Sequence, residues 1–155
     1  MGEISIVNVP AQKVMGMYRQ GSYKELAEMI PELCEYADKN GAGICGNPIF
    51  ICHESPEEAK RADKEGTANL EVAIPVSKKI EETNEIKYYE LHGGKMLKIV
   101  HKGPYGECGA TYDKIFQWLK ENKKELMGPT REVYINDPRE IPPEEILTEI
   151  YAPIA

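Results

Sequence analysis

Glu149 and Tyr151 stand two residues apart in Leu147-Thr148-Glu149-Ile150-Tyr151-Ala152-Pro153, the spacing that puts two side chains on one face of a strand. Ile150, between them, reads as the side chain turned to the core. A carboxylate beside aromatic rings has two chemical uses. It pairs with a cation whose apolar body lies on the rings, where cation–π attraction adds roughly 0.5–2 kcal/mol. It also acts as a general base on water when desolvation lifts its pKa toward neutrality. Tyr134 is expected on the same open face, because Val133 and Ile135 read as the core pair of a strand over 131–136. Tyr18 and Glu71, from the N-terminal half, are further candidates. Tyr112 and Trp118 lie on a helical stripe and complete the candidate ligand-binding set, with an edge of Trp118 expected to be close enough to the sheet to reach such a pocket. The plainer alternative is a glutamate on a wet sheet face with amphipathic tyrosines around it, and a Trp118 that only fills the core.

The remaining reactive residue types form no comparable constellation. Cys34, Cys45, Cys52 and Cys108 contain no C-x-x-C pair and read as reduced, mostly buried thiols. Cys45, Cys52 and His53 match no zinc spacing, so no metal is expected. Cys108 follows the Gly103-Pro104-Tyr105-Gly106 turn near a helix start, without a His or Asp at triad spacing. His53, His92 and His101 share no ligand spacing and read as surface or loop residues. Gly41-Ala42-Gly43 and Gly93-Gly94 lack the Lys-Ser/Thr continuation of a phosphate-binding loop, and no cofactor is expected.

Composition bounds the partners. The chain has 155 residues and a formal net charge of -7, with Lys and Arg scattered. That length suits one domain able to bury a core without metal or disulfide. Scattered cations argue against direct nucleic-acid binding, which needs a basic stripe, and against docking on anionic membranes. No secretory h-region or bilayer-spanning run is present, so a cytoplasmic location is expected.

The elements that would carry these residues occur in duplicate. Sliding the sequence so that Lys13 falls on Lys95 also places Tyr23 on Tyr105, Leu33 on Ile115, Tyr36 on Trp118 and Gly46 on Gly128. After a length change, Leu70-Glu71-Val72-Ala73-Ile74-Pro75-Val76 falls on Thr148-Glu149-Ile150-Tyr151-Ala152-Pro153-Ile154. The repeats cover about 11–76 and 93–154 of a single domain, 1–155. Strands are predicted over 3–9, 13–20, 47–53 and 68–76, then 95–102, 131–136 and 147–153, with a short strand at Tyr88-Tyr89-Glu90. Leu26, Ile30, Leu33 and Ala37 predict a helix ending at Asn40-Gly41, with Pro31 starting a fresh helix. Tyr112, Ile115, Trp118 and Leu119 predict another over about 110–124. The charged stretch 55–63 reads as a solvated connection with at most one helical turn. Residues 77–87 read as a surface connection, and the prolines near Asp137 as forcing an extended loop. The sum is an α+β fold: a strand–helix–strand–strand module twice, an antiparallel-rich sheet with helices on one face, and a ligand cleft at the pseudo-two-fold seam.

The run Val133-Tyr134-Ile135-Asn136-Asp137-Pro138-Arg139-Glu140-Ile141-Pro142-Pro143-Glu144-Glu145-Ile146-Leu147-Thr148-Glu149-Ile150 resembles the GyrI-like small-molecule-binding domain, the effector-binding domain of AraC-type and multidrug-sensing transcription activators. The His101-Lys102-Gly103-Pro104-Tyr105 turn and Trp118 are similar to that family too. The resemblance implies the same duplicated module, with Glu149 matching a glutamate used against cationic aromatic ligands and Tyr151 matching a pocket-lining position. Some members it resembles are hydrolases that open cyclopropane rings of genotoxic compounds with a Glu and a Tyr. Others are gyrase-inhibitor relatives that act on a protein, and the fold has haem-binding relatives, for which no histidine here is placed. The chain has no helix-turn-helix segment, so the expectation is a stand-alone binder of lipophilic ligands, cations among them. A hydrolase on the same pocket and a protein-interaction module are the alternatives, with a protein partner or homodimer left open.

Overall fold

The computed structural model describes residues 3–104, 107–137 and 139–154. In chain order its main elements are β1 (Ser5–Val9), β2 (Gln12–Gly21), α1 (Leu26–Lys39), β3 (Ile49–Cys52), α2 (Pro56–Glu65) and β4 (Ala68–Pro75), then β5 (Ile86–Leu91), β6 (Gly94–Lys102), α3 (Gly109–Glu121), β7 (Thr130–Tyr134) and β8 (Leu147–Pro153). They fall into two compact units, Ala11–His92 and Met1–Pro10 with Gly93–Ala155. The first unit holds antiparallel strands in the order β3-β4-β2-β5. The second holds β7-β8-β6-β1, also antiparallel. The α+β class and the duplicated strand–helix–strand–strand plan are thus as the sequence predicts. No helix among the described residues is long and apolar enough to cross a membrane.

Alternation in the strands fixes which face meets the helix. In the second unit Leu97 and Ile99 of β6 and Ile150 and Ala152 of β8 pack with Ile115 and Leu119 of α3. Each leucine or isoleucine of this set taken from water contributes about 1.5–3 kcal/mol. Met15, Met17, Val72, Ile74, Leu33 and Ala37 stand at the repeat-matched positions of the first unit and are as deeply buried. Glu71 and Glu149 therefore leave the strands on the face turned away from the helices.

Three local expectations change. The stretch after Ser55 is a full helix, α2: the Ser55 hydroxyl accepts from the Glu58 N–H and Gly66 closes the helix at φ 69°. Its Asp63 accepts from the Ser22 hydroxyl at 3.0 Å and the Tyr23 N–H at 2.8 Å, so it anchors the start of α1 rather than merely crossing solvent. Pro31 lies inside α1 and starts no new helix; lacking an N–H, it leaves the Ala27 carbonyl without its helical donor. The chain enters α1 through a single 3-10 turn at Tyr23–Glu25, capped reciprocally by Ser22 and Glu25. β7 ends at Tyr134, one residue short of Ile135, whose N–H still donates to the Leu147 carbonyl at 3.2 Å. The predicted turn at Gly103-Pro104-Tyr105 and the loop at Asp137-Pro138 lie partly outside the described residues.

Candidate functional site

In β8, Glu149 is registered with Val100 on β6 and Val133 on β7, and Tyr151 with Lys98 and Arg131. Glu149 and Tyr151 share a face as expected: the Tyr151 hydroxyl donates to Glu149 Oε1 at 2.8 Å. The other oxygen is taken by a residue that the sequence reading passed over, Lys98, whose Nζ is 3.2 Å from Glu149 Oε2. The same ammonium sits 5.8 Å from the Tyr151 ring centroid. Burial first, and then the bond to Glu149, raise the Tyr151 hydroxyl above the usual tyrosine range. The Glu149 side chain keeps 24% exposure, so it is reachable rather than sealed.

Glu71 occupies the same place in the first unit, registered with Tyr18 on β2 and Ile51 on β3. Its surroundings differ. Oε2 accepts from the Tyr89 hydroxyl of β5 at 2.6 Å, and Oε1 lies 2.7 Å from His53 Nε2. Tyr89 reaches it by lying across Gly16, where an added Cβ would come within 2.0 Å of the Tyr89 oxygen. Burial, followed by Glu71, raises the Tyr89 hydroxyl above the usual tyrosine range. Tyr18 is 52% exposed, and its ring centroid lies 6.1 Å from that of His53. Val14, Ile49, Ile51 and Ala73 on this face are all buried, so Glu71 has apolar surroundings and 16% exposure.

Tyr134 does not join Glu149. It is registered with Thr148, one residue away, so its side chain leaves the opposite, helix-packed face. There the Tyr134 hydroxyl donates to Glu132 Oε1 at 3.3 Å, and the Tyr112 hydroxyl of α3 makes a short bond to Glu132 Oε2. Glu132 is 9% exposed. Burial raises its pKa against the opposing pull of the two tyrosines and of His101. Its charge also adds to burial in pushing the Cys108 thiol up to about 12, away from the thiolate form. His101 is a core residue, not a surface one: Nδ1 lies 2.9 Å from Thr111 Oγ1 and Nε2 is 3.0 Å from the Pro104 carbonyl oxygen. Trp118 is half-buried and packs on the α3 core.

The seven candidates thus divide. Glu149 and Tyr151 form one cluster, Glu71 and Tyr18 belong to a second with Tyr89 and His53, Tyr112 and Tyr134 serve Glu132, and Trp118 packs on the α3 core. Sequence reasoning missed His53, Tyr89, Lys98 and Glu132. The repeat alignment held a signal for one of them, since it sets Lys98 on Gly16. Among the described residues no group of three or more His, Cys, Asp or Glu side chains is arranged to hold a metal.

A family model for the GyrI-like small molecule binding domain matches residues 2–155. No curated protein matches the chain. Among solved structures, the EcmrR C-terminal domain superposes with a TM-score of 0.85 at 19% identity, covering 99% of this chain and 97% of that one. EcmrR in a complex with DNA gives a TM-score of 0.85 at 20% identity over 98% of this chain, which spans only 57% of the EcmrR chain. A hydrolase from Listeria innocua gives 0.74 at 16% identity, with coverages of 99% and 92%. SAV2435 bound to tetraphenylphosphonium gives 0.54 at 12% identity, with coverages of 99% and 94%. At these identities the likeness is one of fold. The family match extends over the described sheet, helices and carboxylate clusters, and on it this chain belongs to the GyrI-like small molecule binding domain family.

Proposed function

We propose that this domain binds lipophilic aromatic cations through a carboxylate braced by tyrosine. The observation that carries this reading is the repetition of one device. Each unit sets a glutamate on the strand face away from its helix, with a tyrosine hydroxyl donating to it at 2.8 Å or 2.6 Å. A carboxylate braced by a tyrosine hydroxyl attracts a diffuse organic cation, and adjacent rings supply the apolar contact. The tetraphenylphosphonium complex of SAV2435 supports the choice of probe. The test is calorimetric titration with tetraphenylphosphonium, followed also by Trp118 fluorescence, against neutral triphenylphosphine oxide. Saturable binding of the cation, at least tenfold weaker for the neutral analogue and weakened by Glu149→Gln or Glu71→Gln, is the expected result. Equal binding of both compounds refutes charge recognition.

A hydrolase is the second reading, favoured by the Tyr151–Glu149 bond and by the fold shared with a Listeria innocua hydrolase. Glu149 would take a proton from a water attacking a strained, electrophilic ring, and Tyr151 would give one to the ring carbon that leaves. Mass spectrometry of cyclopropane-bearing electrophiles incubated with the protein decides it. A product heavier by one water, lost in Glu149→Gln, establishes turnover.

A further inference from the structure

The two repeat-matched glutamates carry different resident cations, and the difference follows from small residues. Glu149 is paired with Lys98, which leaves β6 at the position registered with Tyr151. In the first unit the matching positions are Gly16 and Ala73, registered with each other. Neither can supply a cation or a ring. Tyr89 fills the space over Gly16, and the charge opposite Glu71 falls to His53, placed just beyond the end of β3. Glu149 thus has an ammonium resident on it at 3.2 Å. An imidazole is charged on only one side of neutrality.

We infer that Glu71 is the cation-receptive carboxylate of the domain and that His53 is a titratable place-holder, which an aromatic cation displaces with release of a proton. The inference rests on the proposal that the domain takes lipophilic cations. At low pH the His53 imidazolium and Glu71 form an ion pair 2.7 Å long, 31% and 16% exposed, and the site is closed to other cations. As the imidazole loses its proton, Glu71 keeps a negative charge held by the Tyr89 hydroxyl and a neutral ring. An incoming cation then has the carboxylate and the exposed Tyr18 ring opposite it on β2. The proton goes to solvent, so charge and atoms balance: protonated His53 and free cation become neutral His53, bound cation and one proton. The titratable groups of this unit that face the pair are Tyr18 from β2 and Tyr89 from β5, with Lys87 exposed on the same face of β5. Glu54, next to His53 in the chain, is turned to the Tyr23 hydroxyl at 3.0 Å and to the Asn69 backbone and side-chain N–H groups.

The experiment is calorimetric titration of the whole chain with tetraphenylphosphonium across the imidazole range, from about pH 5 to about pH 8, in buffers of different ionisation enthalpy. The affinity is expected to rise toward the linkage limit of about tenfold per pH unit on the acid side and to level off on the alkaline side. The buffer series should show close to one proton released per cation at the acid end. His53→Gln should bind the cation with no such slope, and Glu71→Gln should lose about tenfold or more in affinity. A pH-independent affinity in the unaltered chain overturns the inference while leaving cation binding intact. So does a slope that survives His53→Gln, or Glu71→Gln binding as tightly as the unaltered chain. No binding at any pH removes the functional proposal and this inference with it.

Discussion

Gly16→Ala tests the architecture of the Glu71 cluster without touching a group that binds. A Cβ at Gly16 would stand 2.0 Å from the Tyr89 oxygen and 2.4 Å from its Cε1, so the ring must leave. Its departure removes the 2.6 Å bond to Glu71. A hydrogen bond to a charged group is worth about 1.5–3 kcal/mol. Against this, alanine restricts the unfolded chain and returns about 0.4–1 kcal/mol. The net cost is about 1–2 kcal/mol, which lowers Tm by roughly 2–8 °C for a chain of this size. Thermal unfolding of Gly16→Ala, Tyr89→Ala and the double variant closes a cycle. With Tyr89 truncated the space over Gly16 is free, so the same substitution should become neutral or stabilising. Ultraviolet titration gives a second readout: the raised Tyr89 ionisation should fall back toward the ordinary value of about 10 in Gly16→Ala. A Gly16→Ala cost that is the same with and without the Tyr89 ring refutes the reasoning, because it means that the ring does not lie where Glu71 needs it.

Three further outcomes follow from the second unit. Thr148 is fully buried and its Oγ1 has no hydrogen-bond partner among the described residues; Thr148→Val should raise stability by about 1 kcal/mol, read from denaturant midpoints, and a loss instead would reveal a partner. Cys108 is buried with its thiol pushed up to about 12, whereas Cys45 is exposed; a thiol reagent at pH near 8 should label Cys45 in the folded chain and reach Cys108 only on unfolding, as peptide mapping would show. Tyr112→Phe removes a donor from buried Glu132 and should cost about 1.5–3 kcal/mol; a change below about 0.5 kcal/mol would mean that the carboxyl is satisfied elsewhere.

Much of the fold was legible because the strands obey a period of two and the helices a clear stripe. Ile150 between Glu149 and Tyr151 sufficed to place that pair, and the repeat identified Glu71 as its counterpart. Tyr134 failed by the same rule. Val133 and Ile135 look like a core pair, yet Val133 lies beside Glu149 and Ile135 is outside β7. The buried residues of β7 are Thr130, Arg131 and Glu132, polar side chains that alternation assigns to water. Polar groups enter a core only with partners, and Glu132 has them in the hydroxyls of Tyr112 on α3 and Tyr134 on its own strand. His101 is likewise a buried polar residue with its partners supplied, by Thr111 and the Pro104 carbonyl. His53, Tyr89 and Lys98 were hidden for another reason: Tyr89 and Lys98 reach their glutamates from another strand and His53 from just past the end of β3, which only the register reveals. α2 could have been read from its cap, since Ser55 stands three residues before Glu58.

Buried Glu132 and the His53–Glu71 pair make opposite demands on pH, and the opposition is measurable. The folded pKa of Glu132 is raised above its ordinary 4.5 by burial, so the native state holds that proton more tightly than the unfolded chain does. Its contribution to stability is therefore fully present below pH 4.5 and is lost as pH rises through the folded value. The Tm of the free domain should drift down over that interval, and Glu132→Gln should flatten the drift. Cation affinity at Glu71 should rise over the higher imidazole range. A ligand stabilises the native state by RT ln(1 + [L]/Kd), which is about 2.7 kcal/mol at a concentration 100 times Kd. At one fixed concentration of tetraphenylphosphonium, the thermal shift should therefore grow with pH while the baseline Tm falls or stays level. Glu132→Gln should alter the baseline and leave the shift, and His53→Gln should do the reverse. A shift that follows Glu132 instead would place the ligand against the core of the second unit and not at Glu71.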